Sequence, residues 1–183
     1  MSPHLVRAVD ATDHALGPAD APVTLVEYGD YECPHCARAH PVTVALRARL
    51  GDRMRFVFRN FPLGEIHRHA EHAAQAAEAV AALAGEAAFW AMHDRLFEHQ
   101  GEGLGDHALA AHATAAGADG TAVLDAVRAG THAARVRADF MGGVRSGVNG
   151  TPTFFVNGQR VDGDWSDVAA FGALLEDVAA AGR

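Results

Sequence analysis

VEYGDYECPHC, residues Val26 to Cys36, is where an apolar run breaks at Gly29-Asp30 and two cysteines follow, three positions apart. Upstream, VTLVEY (Val23 to Tyr28) is β-branched and apolar enough for a buried strand. Downstream, CPHCARAHPVTVALRARLG reads as a helix closing on Gly51, with Pro34 in a first turn that does not need its missing N–H. Pro41 falls inside the same pattern, where a kink is expected. MRFVFRNF (Met54 to Phe61) is a second strand, ended by Pro62-Leu63-Gly64. Strand, helix, strand predicts a parallel pair joined by a right-handed crossover.

From about Ile66 to Val148 the texture changes to alanine-rich helices. EAAFWAMHDRLFEHQ places Phe89, Met92, Leu96 and Phe97 on one apolar stripe. A later helix is expected to cap on Asp119, with Val123, Leu124 and Val127 inward. Another is expected to cap on Thr131 and align Val136, Phe140 and Val144. The strand signal returns in TPTFFVNGQRVDG, where Phe154 to Val156 and Arg160-Val161 flank Asn157-Gly158, a hairpin turn. A closing helix carries Val168, Phe171, Leu174, Leu175 and Val178. The expected fold class is α/β, ordered β-α-β, then a large all-helical insertion, then β-β-α. Residues 1–21 read as an N-terminal arm, 22–64 and 149–183 as one sheet-bearing domain, and 65–148 as an inserted helical subdomain.

A chain of 183 residues is long enough to bury a sizeable core, and 49% hydrophobic with 21% charged residues is an ordinary globular balance. No apolar run approaches the ~18 residues of a membrane span, so no membrane partner is expected. The opening MSPHLVRAVDATDHALG lacks a basic stretch followed by an apolar core. The expected location is therefore cytoplasmic, or periplasmic or otherwise extracytoplasmic if a leader has been removed. Net charge is -8, from 23 acids against 15 bases, and every base is Arg. With no basic cluster, nucleic-acid binding has little support. Most of the 12 His lie in alanine-rich helical stretches and read as solvated.

Both cysteines of the chain are Cys33 and Cys36. At a helix start, positions i and i+3 share a face, which brings the two near disulfide range. The loop they would close is too small to stabilise a fold much, so a reversible dithiol is a better reading than a staple. The helix terminus offers unpaired N–H groups and partial positive charge, which favour a thiolate at Cys33. His35 can add a cationic or hydrogen-bonding neighbour. Asp30 and Glu32 oppose the thiolate if they face it, and are expected to turn to water. Cys36, deeper in the helix, should stay protonated until it resolves a mixed disulfide. The competing reading is half of a zinc site completed by histidines. His67, His69 and His72 form a candidate cluster, although solvated or capping histidines are commoner there. With no second C-x-x-C, the redox reading is preferred and no metal is expected.

VEYGDYECPHC on a strand-to-helix turn, a long helical insertion, and GTPTFFVNG before a terminal hairpin and helix together resemble the DsbA-like thiol:disulfide oxidoreductases of the thioredoxin superfamily. The likeness spans nearly the whole chain from about Pro22. It implies a thioredoxin-like fold and disulfide exchange with protein thiols, with no bound cofactor. It implies Cys33 as nucleophile, Cys36 as resolving thiol, and Pro34 and His35 as the dipeptide that tunes the redox potential. Thr151-Pro152 would be the cis-proline loop against the disulfide, with the Thr151 backbone free to pair with an extended substrate. Glu27 resembles the acid that exchanges protons near the resolving cysteine; a strand residue facing solvent is the other reading. No dimerisation domain of the type attached to the disulfide isomerases is seen, which weakens that assignment, and a monomer is expected. Kappa-class glutathione transferases share the insertion but lack the C-x-x-C, which argues against glutathione conjugation. An oxidising couple serving an unidentified redox partner is the preferred activity. The alternatives are a Cys/His metal-binding module and a non-enzymatic holdase using the groove around Pro152.

Overall fold

The computed structural model describes residues 4–182. Five strands and seven helices follow in the order β1 (His14–Leu16), β2 (Val23–Gly29), α1 (Pro34–Leu50), β3 (Met54–Asn60), α2 (Ala70–Ala84), α3 (Glu86–Glu98), α4 (Asp106–Ala115), α5 (Gly120–Arg128), α6 (Ala133–Arg145), β4 (Thr153–Val156), β5 (Gln159–Arg160) and α7 (Val168–Ala181). The sheet order is β1-β3-β2-β4-β5. β2 and β3 run parallel across the α1 crossover, and the other pairs are antiparallel. This is the α/β order expected from sequence.

The alternation of β2 and β3 sorts their side chains onto two faces. Val23, Leu25, Phe56 and Phe58 join the main core, which runs without a break into Cys36 and Leu46 of α1 and into Phe89, Met92 and Leu96 of α3. The inserted helices thus share their core with the sheet. Val26, Tyr28, Val57 and Phe155 face the other way, against Phe140 of α6 and the N-terminal Leu5 and Val9. Helix α6 comes close there because Gly143 has no side chain: a Cβ would sit 2.7 Å from the Phe61 ring.

The segment read as an arm is part of the sheet. β1 pairs antiparallel with β3, and His4 bridges to Gln159. Three residues of mixed polarity carry no strand periodicity, so the sequence shows no sign of β1. Residues 1–3 of that arm, and Arg183 of the closing unit, lie outside the described residues. What holds the segment is a buried charge network. Arg59, on β3 and fully buried, donates from Nε and Nη2 to the two oxygens of Asp13 at 2.8 Å each, and from Nη1 to the Arg7 carbonyl. Arg7 in turn bridges Asp13 and Asp139, and the His14 ring lies between Glu78 and Glu86 at 3.2 and 2.7 Å.

The β4–β5 hairpin forms around Asn157 (φ 47°) and Gly158 (φ 82°), the two left-handed positions that favour Asn-Gly. Asp119 caps α5 through the N–H groups of Thr121 and Ala122, as expected. Thr131 does not cap α6, which starts one residue later behind His132. Val144, expected inward on that helix, is exposed, because the paired glycines take the face that packs.

Candidate active site

Cys33 is the N-cap of α1 and Pro34 its first residue. Cys33 has extended backbone angles (φ -75°, ψ 121°), so its sulfur lies over the open end of the helix, where N–H groups have no helical partner. Both cysteines are free thiols and both are buried. The Cys33 thiol lies 3.5 Å from the Thr151 carbonyl, and the Thr151–Pro152 bond is cis. A hydrogen bond from the Cys36 thiol, followed by contributions from the Thr151 side chain and the Cys36 and His35 backbone, outweighs burial and brings Cys33 down to about 5. Burial raises Cys36 as well, and there it is reinforced by the bond to Cys33 and the charge of Glu27, which together push that thiol well above the usual range. The helix start therefore separates two chemically identical groups by their depth.

The approach to α1 is pinned from both sides. Gln100 donates from Nε2 to the Tyr31 and Cys33 carbonyls at 2.8 and 3.0 Å. Asp30 does not turn to water. It is buried, accepts from the Glu32 and Leu63 N–H groups at 2.8 Å each, and faces His67 Nδ1 at 2.7 Å. Glu32 accepts from the His69 N–H. The opposing acids are thus consumed by the segment that follows β3.

Glu27 lies on β2 with its side chain inward, 2% exposed, and its Oε1 has no hydrogen-bond partner. Burial, with the Cys33 charge second, raises it to about 8. The solvent-facing reading of Glu27 is excluded by that burial. The His35 ring is exposed and its Nδ1 lies 2.6 Å from Arg38 Nη2, so here the ring faces down the helix while its backbone N–H serves Cys33. His67, His69 and His72 do not converge. His67 meets Asp30, His69 caps α2 at its backbone, and His72 is exposed.

Gln100 and the pairing of Asp30 with His67 are the features sequence reasoning missed. A glutamine after an apolar helix carries no pattern. Asp30 and His67 were visible as residue types, but only the fold shows that they meet.

The family model described as Thioredoxin matches residues 10–177. The chain is 42% identical over 164 residues to a protein of Salinispora arenicola named Na(+)/H(+) antiporter NhaA 1, covering 88% of this chain and 24% of that one. It thus spans about a quarter of the length of the curated relatives it matches. Oxidised BdbD from Bacillus subtilis superposes with a TM-score of 0.82 at 24% identity, covering 98% of this chain and 96% of that one. Wolbachia pipientis alpha-DsbA1 superposes with a TM-score of 0.81 at 18% identity, covering 95% and 94%. No helix among the described residues is long and apolar enough to cross a membrane. With the family match over most of its length and this arrangement of sheet and inserted helices, the chain belongs to the thioredoxin family and has a DsbA-like fold.

Proposed function

We propose that the chain is a thiol:disulfide oxidoreductase that passes disulfides to protein substrates through Cys33 and Cys36, poised as an oxidising couple. The observation that carries this reading is the split between the thiols, one brought down to about 5 and the other held well above its usual range. A disulfide is a strong oxidant when the protein stabilises the reduced form, and a stabilised thiolate is a good leaving group. In this reading residues 22–64 and 149–183 form the redox unit and 65–148 cover it.

The cycle starts from the Cys33–Cys36 disulfide. A substrate thiolate attacks the Cys33 sulfur, a mixed disulfide forms, and Cys36 leaves with the electron pair. Glu27, raised to about 8 and therefore protonated at neutral pH, supplies the proton that Cys36 takes up. A second substrate thiolate then attacks its neighbour's sulfur in the mixed disulfide and Cys33 departs as thiolate. The substrate has lost two electrons and the pair has gained them; a disulfide-bearing redox partner takes them back. Thr151 beside Cys33 offers backbone groups to an extended substrate.

Alkylation of the reduced protein at mildly acidic pH tests the carrying observation. Cys33 should be modified well before Cys36, and Cys36→Ala should trap substrates that Cys33→Ala does not. Equal labelling of the two thiols, or comparable trapping by both variants, would remove the basis for the reading.

A further inference from the structure

One turn beyond Cys36, helix α1 turns His40 toward α3, where His93 and Asp94 stand. One potential ligand atom from each of the three residues lies within 4.8 Å of the others. We propose that His40, His93 and Asp94 form a binding site for a divalent transition-metal ion of the zinc class, clamping α1 to α3 behind the cysteine pair.

The first support is an unmet need. His40 is 5% exposed, yet neither ring nitrogen has a hydrogen-bond partner, and Oδ1 of Asp94 is buried and equally unpartnered. Buried polar groups left without partners are destabilising, so a ligand that satisfies them is favoured. His40 Nε2 and Asp94 Oδ1 are 3.7 Å apart, too far for a hydrogen bond. Two ligands of one tetrahedral zinc ion stand about 3.3 Å apart, so this pair needs a few tenths of an ångström of adjustment, and the His93 nitrogen, within 4.8 Å of both, must draw in with them.

The second support is orientation. The His40 ring stacks on Phe97 at 5.4 Å, and His93 is wedged edge-on against Phe58 and Trp90. The Tyr31 hydroxyl meets His93 Nδ1 at 3.2 Å, the kind of outer contact that fixes a ligating imidazole. Asp94 is half exposed, so an ion can reach the cluster from its side. The charged groups acting on the pair are Asp94 and Glu98, which favour a cation, and Arg47, with His14 if protonated, which disfavours one. Arg47 is drawn over the Phe56 ring, 5.9 Å from its centroid. Two imidazoles and one carboxylate select zinc or cobalt over calcium or magnesium.

The site does not depend on the redox reading, and the test keeps the two apart. The full chain carrying Cys33→Ser and Cys36→Ser, which removes both thiols as ligands, is titrated with Zn2+ by calorimetry and with Co2+ by visible absorption. One ion should bind per chain, the Co2+ bands should be those of a low-symmetry four- or five-coordinate site, and the melting temperature should rise. Asp94→Asn in that background, a near-isosteric change at a half-exposed position, should weaken binding more than about tenfold, and His40→Gln should remove it. Absence of binding would overturn the proposal. So would binding that Asp94→Asn and His40→Gln leave unchanged, which would place the ion on surface histidines such as His69 and His72.

Discussion

Among the places where this molecule buries ionisable side chains, two do so in opposite ways. Around β3, Arg59 and Asp13 meet in a bidentate pair, extended through Arg7, Asp139 and Arg135 to Glu78 and His14. Burial raises the Asp13 carboxyl, but the Arg59 bond, the Asp10 N–H and the charges of Arg59 and Arg7 together outweigh it and the net shift is downward. Below the cysteines, Glu27 lies equally deep with no cation beside it, and it keeps its proton instead. Pairing makes the first region a fastening of the N-terminal segment; the lack of pairing leaves the second able to serve as the proton source of the proposed cycle. A buried charge is structural or chemical according to what faces it.

Removing one member of the paired region should break the comparison most severely. Asp13→Ala leaves Arg59 buried and uncompensated, so urea unfolding should show a loss of about 3–5 kcal/mol. A loss below about 1 kcal/mol would mean that water reaches the guanidinium and that the network is no fastening.

Glu27 should respond with the opposite sign. Above about pH 4.5 the unfolded chain releases this proton, while the folded chain holds it to about 8. The unfolded state then binds fewer protons, so Glu27 lowers stability as pH rises through that window, by about 1.4 kcal/mol per unit at most. In reduced protein, Glu27→Gln should therefore gain on the parent steadily from about pH 5 to about pH 8, by about 2–3 kcal/mol in all. Parallel stability profiles for the two proteins would show Glu27 to be ionised in the fold.

Two smaller effects sharpen the chemical side. Thiolate absorbance of Cys36→Ala should titrate about one to two units higher than in the parent, because the strongest bond to the Cys33 sulfur is lost. His35→Ala should move the same titration less than Cys36→Ala does, since the ring is turned to Arg38 and the backbone N–H survives the change. A larger shift from His35→Ala would restore the imidazole to the central place that the sequence suggested for it.

Legibility followed the range of the signals. The α1 crossover, the Asn157-Gly158 hairpin and the Phe89–Phe97 stripe each announce themselves within a dozen residues, and all are present. The two cysteines were legible for the same reason: their chemistry lies in one helical turn. β1 was not, being three residues long and defined only by Phe56, Val57 and Phe58 across from it. Asp30 turned to His67 rather than to water, and His40 met His93, through contacts that no local period encodes. The role of His35 was read from residue type, whereas in the fold its ring is turned to Arg38 and its backbone N–H is what faces Cys33.

The antiparallel pairing of β2 with β4 sets an order of events during synthesis. Glu27 is matched to Phe154, more than a hundred residues later in the chain. At about 5–20 residues per second, a ribosome needs many seconds to deliver that partner after Cys33 and Cys36 have emerged. Throughout that interval the two thiols lie in a nascent chain whose helix α1 has no completed sheet beneath it and no Thr151 beside it. Cys33 then lacks the Thr151 contact and Cys36 lacks its full burial, and only when Phe154 closes the central strand does the chain complete the environment that sets the two apart.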